Sequence, residues 1–198
     1  MADMDRFREY KPGIIGLNEI NNSAVCIPVV QTEAGEGILF EVRASHIPDQ
    51  PGDICLPGGR IESGESPEEA AVRECAEELL IEPCQVELIG PSDIFHTENV
   101  IVYPYVVRLK DYNGTFSRHE VAEVFSVPVS FFLENEPERH RVNAVVVPDE
   151  GFPYERIAGG RNYKWRARYT DQLFYQYGEY TIWGLTAKVI NAFAELIR

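Results

Sequence analysis

The chain has 198 residues and a formal net charge of -14 at pH 7, which excludes a general nucleic-acid or anionic-membrane binder, since both need surplus lysine and arginine. A hydrophobic content of 44% supports a real core, and 25% charged residues is ordinary for a soluble protein. No apolar run reaches transmembrane length, and Met1-Ala2-Asp3-Met4-Asp5 lacks the basic and apolar regions of a signal peptide. Cys26, Cys55, Cys75 and Cys84 show no metal-binding spacing and each lies in or beside an apolar segment, so the expectation is buried, reduced thiols in the cytoplasm.

Residues 1–22 are polar and irregular and read as an N-terminal arm. Ser23 to Val30, rich in β-branched residues, predicts a strand, a turn follows, and Ile38 to Arg43 returns as its partner. A loop with Pro48, Pro51 and Gly52 leads to a short strand, Ile54 to Leu56, and then to Pro57-Gly58-Gly59. Beyond residue 82, strands are predicted at Gln85 to Gly90, Val100 to Leu109, Glu120 to Val127 and Val142 to Val147, with a short helix at Ser130 to Leu133. An aromatic-rich stretch from Phe152 to Trp183 precedes an amphipathic helix, 184–197, with Leu185, Val189, Ala192, Phe193, Leu196 and Ile197 on its apolar side. Apolar surface left exposed on that helix is compatible with a homodimer. With no repeat or linker, the economical reading is one α+β domain over 1–198.

Between these elements lies the best-marked helix of the chain. Ser66 is an N-cap, Pro67 fits the first helical position, and Glu69 sits where a capping-box acid belongs. The helix is predicted to run from Pro67 to about Leu80, and Pro83 forbids much continuation. On a 3.6-residue period Val72, Cys75, Ala76 and Leu79 face a core, while Glu74, Glu77 and Glu78 converge on the other side. Ala70 and Ala71 lie one turn back on that acidic side and leave room for something to approach. Arg73, four before Glu77, can fix a carboxylate rotamer. Clustered hard oxygens suit Mg²⁺ or Mn²⁺, which would offset the mutual repulsion; the plainer alternative is a solvated acidic face.

Gly59, Glu65, Arg73-Glu74, Glu77-Glu78 and Ile81 resemble the Nudix box, G-x5-E-x7-R-E-U-x-E-E-x-G-U, with U a bulky apolar residue. Cys75 takes a bulky-aliphatic position, and Leu80 replaces the second glycine, so either Leu80 accepts a left-handed backbone or the helix ends differently. The resemblance implies the Nudix fold, a mixed β-sheet sandwiched between α-helices. It implies a metal-dependent hydrolase in which Glu74, Glu77 and Glu78 hold Mg²⁺ or Mn²⁺, with Glu65 and Arg73 also in the catalytic set. Water would attack one phosphorus of a diphosphate in line. The general base stays open among the box glutamates, Glu120 and Glu123.

Upstream, Leu39, Arg43, Gly52, Pro57, Gly58 and Gly59 match in register a second motif, L-L-T-x-R-S-x3-R-x3-G-x3-F-P-G-G, which is similar to that of the coenzyme A pyrophosphatase branch. Pro48 stands where the motif has its second arginine, and Trp183-Gly184-Leu185-Thr186-Ala187 resembles the tail of that branch. The substrate expected is a small nucleotide such as coenzyme A, cleaved to 4′-phosphopantetheine and adenosine 3′,5′-bisphosphate. Arg43, Gly58, Gly59 and Arg60 are candidates for binding it, Arg43 through a guanidinium fork onto phosphate. The basic stretch with Arg139, His140, Arg141, Arg161, Lys164, Arg166 and Arg168 is a candidate replacement for the missing arginine. Two alternatives stay open: hydrolysis of ADP-ribose, NADH or a dinucleotide, and a non-catalytic nucleotide sensor.

Overall fold

In the computed structural model, residues 8–11, 15–16, 20–33 and 35–198 are described; most of the predicted N-terminal arm lies outside them. Strands β1 (Asn21–Thr32), β2 (Gly35–Arg43), β3 (Ile54–Cys55) and β4 (Gly58–Arg60) precede helix α1 (Pro67–Leu79). Then come β5 (Val86–Pro91), β6 (Phe95–His96), β7 (Val100–Leu109), β8 (Val121–Pro128), helix α2 (Val129–Glu134), β9 (Glu138–Ala144), β10 (Arg168–Tyr177), β11 (Tyr180–Trp183) and helix α3 (Gly184–Ile197). The main sheet is mixed, in the order β3-β2-β1-β7-β5, with β4 on β1, β6 on β7 and β8 on β2. Among the described residues only β1 and β7 run parallel within it; the other pairings are antiparallel.

The apolar run of β1 serves two cores at once. Ala24 and Cys26 point to α1, and Ile27 points to the layer built from α2, α3, β10 and β11. In β2 the same alternation sends Leu39 toward α1 and Ile38 and Phe40 to the other side. A strand buried on both faces needs this continuous apolar sequence. The predicted α/β/α layering is therefore what forms.

Helix α1 starts as its sequence dictates. Glu69 N–H donates to Ser66 Oγ at 3.2 Å and Ser66 N–H donates to Glu69 Oε2 at 2.9 Å, a complete capping box, with Pro67 in the first turn. It ends at Leu80, whose φ of 52° and ψ of 50° place a leucine in the left-handed region. Leu80 thus accepts the strain that the sequence left open. The helix terminus is also tied to the loop before β8: Thr115 Oγ1 donates to Leu79 O at 2.7 Å, and Ser117 N–H to Glu78 O at 2.7 Å.

Three expectations are corrected: a strand, a helix face and the burial of Cys84. The strand predicted at Val142 to Val147 is instead β9, every residue of which is exposed, and Val145 and Val147 lie beyond it in solvent. Its position is set by pairing with β10, Arg168 opposite Ala144 through Phe174 opposite Glu138, and not by the apolar run. On α3, Ile190 and Ala194 join Val189 and Phe193 in the core, while Leu196 and Ile197 are exposed. Of the cysteines, Cys26 and Cys75 are buried, Cys55 is half-buried and Cys84 is exposed.

Candidate active site

The site is built where β4 passes between β1 and α1. Gly58 and Gly59 lie opposite Val25 and Ala24 of β1. A Cβ on Gly58 would overlap Ala24 O and the Val25 Cα, and one on Gly59 would enter the Glu74 carboxylate. Glycine at both positions lets the chain run against β1 on one side and the helix acids on the other. Gly58 N–H donates to Glu78 Oε2 at 2.8 Å.

Arg73 organises the outer part of the cluster. Its Nε and Nη2 fork onto Glu65 at 2.8 and 2.9 Å, and its Nη1 reaches Glu74 at 2.9 Å and Glu77 at 3.4 Å. Nη2 also donates to Arg60 O at 3.2 Å. Glu65 further accepts from Glu62 N–H at 3.0 Å. The Arg73 hydrogen bonds, followed by the Glu62 amide, hold the Glu65 carboxyl down to about 2. Glu65 is thus engaged by Arg73, which it holds across the end of the loop, and the Arg60 side chain is exposed.

The three helix acids are not equivalent. Glu77 is largely exposed, Glu74 is mostly covered, and Glu78 is buried. Burial first, then Glu74 and Glu120, push the Glu78 carboxyl up to about 7, against the opposing effects of the Gly58 amide and Arg43. Glu74 is raised chiefly by burial and lowered by Arg73. The single open acidic face expected from the helix period is therefore corrected. Ala70 and Ala71 are fully buried and leave no opening; Ala71 O accepts the Cys26 thiol at 3.2 Å. The helix is rotated so that Ala71, Cys75 and Glu78, spaced by four and three, face the sheet.

Arg43 ends β2 beside this cluster, where it lowers the Glu78 carboxyl, and its Nε donates to Asp49 O at 3.0 Å. Three arginines of the basic stretch are engaged elsewhere. Arg141 stands over Tyr169 at 4.2 Å, Arg161 over Tyr154 at 4.9 Å, and Arg168 pairs with Glu98.

Three acids gain their place from tertiary structure. Glu120, before β8, is a source of the negative field on both Glu74 and Glu78, whereas Glu123 accepts from the Tyr180 hydroxyl at 2.6 Å. Glu41, in β2, is fully buried next to Glu78, and the sequence reading passed over it. The available signal was an acid inside the apolar run Ile38 to Val42, where the upstream motif carries threonine.

Among the described residues, no three His, Cys, Asp or Glu side chains already stand together in ligating geometry. The chemistry of the donors nonetheless fits a hard divalent cation. Glu74, Glu78 and Glu120 repel one another across a partly dry cluster, and Glu41 Oε1 is buried without a hydrogen-bond partner.

The NUDIX domain profile matches residues 21–148. The chain is 33% identical over 177 residues to the uncharacterised Nudix hydrolase NudL of Enterobacter sp. (strain 638), covering 87% of this chain and 80% of that one. It is 30% identical over 130 residues to Nudix hydrolase 3 of Caenorhabditis elegans, covering 62% and 54% of the two chains. Over 116 residues it is 31% identical to the peroxisomal coenzyme A diphosphatase NUDT7 of Mus musculus, covering 57% and 49%. The chain thus spans about half the length of the last two relatives. With the capped helix, the Gly58-Gly59 strand and the ordered glutamates in place, the profile match over most of its length makes this chain a member of the Nudix hydrolase family.

Proposed function

We propose that this Nudix hydrolase is a coenzyme A diphosphatase, acting on coenzyme A or its thioesters with Mg²⁺ or Mn²⁺. The observation that carries the reading is the placement of Arg43, the arginine of the upstream motif, at the end of β2, close enough to lower the Glu78 carboxyl, which accepts from Gly58 N–H of β4. Similarity to a named coenzyme A diphosphatase supports it.

Glu74, Glu77 and Glu78 would hold the cation, which when bound would neutralise diphosphate charge and acidify a water. Arg73 keeps Glu74 aimed inward, and Glu65 keeps Arg73 in place. Gly58 and Gly59 bring the β4 backbone against Glu78 and Glu74 and so set those acids in place, and Arg43 and Arg60 supply guanidinium contacts to the diphosphate. Glu120 accepts the proton of the attacking water. The new bond joins the water oxygen to one phosphorus, the bridging P–O bond breaks, and the second phosphate leaves with the bridging oxygen. The products are 4′-phosphopantetheine and adenosine 3′,5′-bisphosphate. We place the reaction in a reducing compartment, the cytoplasm in our reading, in keeping with Cys26, Cys55, Cys75 and Cys84 as free thiols. Among the described residues no helix is long and apolar enough to cross a membrane.

A second reading rests on Pro48. It is exposed in the loop after β2 at the motif's second arginine, and a substrate without the 3′-phosphate of coenzyme A needs one cationic contact fewer. ADP-ribose, NADH and dinucleotides are such substrates. The test is incubation with Mg²⁺ or Mn²⁺ and coenzyme A, acetyl-coenzyme A, ADP-ribose, NADH or diadenosine polyphosphates, with products separated by chromatography and E78Q as control. Adenosine bisphosphate from coenzyme A, absent with E78Q, is the expected result. AMP from ADP-ribose or NADH with coenzyme A intact transfers the protein to the second reading, and binding without turnover makes it a sensor.

A further inference from the structure

Glu41 occupies an unusual place for a carboxylate. Its backbone is committed to the middle of the sheet, opposite Cys55 of β3 and Val124 of β8. Alternation along β2 puts its side chain on the same face as Leu39, the face covered by α1. There it is 1% exposed. One carboxylate oxygen has only the Cys55 thiol at 4.0 Å, a weak donor at long range, and the other, Oε1, has no partner. The carboxyl group lies within hydrogen-bonding reach of the Glu78 carboxyl. Arg43, the nearby cation, points its Nε to Asp49 O instead of forming an ion pair with Glu41.

An arrangement of this kind is costly as it stands. A buried carboxylate loses its hydration, and a second carboxylate against it adds repulsion, so the pair is costly unless a proton or a cation lies between the two. A backbone amide already satisfies one oxygen of Glu78, so Glu78 is fixed with its remaining oxygen available. Arg73 similarly fixes Glu74 from the outside. What the inner pair lacks is positive charge between them, and a small divalent cation with oxygen ligands supplies it.

We propose that Glu41 is a further carboxylate of the cation centre, entering from the sheet opposite the helix acids and sharing the ion with Glu78. This rests on the reading of Glu74, Glu77 and Glu78 as the metal-holding set. It accounts for an acid at a position that packing alone would fill with an apolar or small polar side chain.

The test is a titration of Mn²⁺ followed by the electron paramagnetic resonance signal of the free ion, on wild type, E41Q, E41D and E78Q, with thermal unfolding in EDTA as the folding control. The expected result is Mn²⁺ affinity about tenfold or more weaker in E41Q and E41D, with E41Q unfolding in EDTA no lower than wild type because its unpartnered carboxylate is gone. Should E41Q fail to fold, E41D, which keeps the charge but withdraws it by one methylene, decides alone. Wild-type affinity in the folded Glu41 variants, with E78Q impaired, overturns the role of Glu41 and leaves the metal-holding set intact. No Mn²⁺ binding by the wild type overturns both.

Discussion

Arg73 and Glu65 are joined at two points, Nε to Oε1 at 2.8 Å and Nη2 to Oε2 at 2.9 Å, across the turn that leads into α1. The same guanidinium reaches Glu74 at 2.9 Å, so the loop acid, the arginine and the helix acid form one rigid unit. A lysine is a point charge on a flexible stem and cannot reproduce the fork. R73K should therefore keep the fold but lower turnover by about 10–100-fold, the usual cost of loosening a group that orients metal ligands. Steady-state kinetics beside a circular dichroism melt would check this; unchanged turnover would remove Arg73 from the site.

The two glycines of β4 should fail in different ways. A Cβ on Gly58 meets the β1 backbone, which cannot yield, and G58A should cost about 1–3 kcal/mol of stability in urea unfolding. On Gly59 the obstacle is the end of the Glu74 side chain, which can swing away. G59A should remain near wild-type stability while its Mn²⁺ affinity and turnover fall about tenfold. Equal loss of stability in both variants would refute the distinction.

Glu78 predicts a pH dependence for the metal-free protein. Burial raises its carboxyl from 4.5 to about 7 in the folded state. Between those values the folded chain binds more protons than the unfolded one, so stability falls as pH rises. This contribution is fully present below the unfolded value and is lost through about pH 7. Melting in EDTA should drop between pH 5 and 8, and E78Q, which lacks this carboxyl but keeps the buried Glu41 and Glu74, should give a flatter profile without losing the slope altogether.

Leu80 marks a place where the chain can be improved. Its left-handed backbone costs a non-glycine residue about 1–2 kcal/mol, part of which glycine returns as lost chain entropy. The side chain is 61% exposed, so little packing is forfeited. L80G should gain about 1 kcal/mol, or about 2–4 °C in Tm by calorimetry. A lower Tm would mean that the exposed leucine contributes a contact outweighing its strain.

Pro48 separates the two substrate readings. P48R restores a guanidinium in the loop whose Asp49 carbonyl already holds Arg43. Under the coenzyme A reading, turnover of coenzyme A should rise severalfold, with ADP-ribose unaffected. No change for coenzyme A would leave the second reading favoured.

Much of this protein was legible in the linear sequence because the relevant forces are local. The capping box of α1, its proline and the β-branched runs of β1 and β2 depend on neighbours a few residues apart. The spacing of Gly59, Glu65, Arg73, Glu74, Glu77 and Glu78 identified the family for the same reason: a turn, a loop and one helix put those residues near each other. The helix period gave three converging acids but not their environments. Which of them is dry depends on how α1 rotates against Ala24 and Cys26 of β1, a packing choice made by the whole core. Likewise, Glu41 and Glu78 are far apart in the chain and meet only through strand register and helix packing. Glu120 and Glu123 look alike in sequence, yet one lies within the field of the helix acids and the other pairs with Tyr180. Local pattern determined the elements and the box. Burial decided the chemistry of each carboxylate, because desolvation depends on what the rest of the fold lays over it.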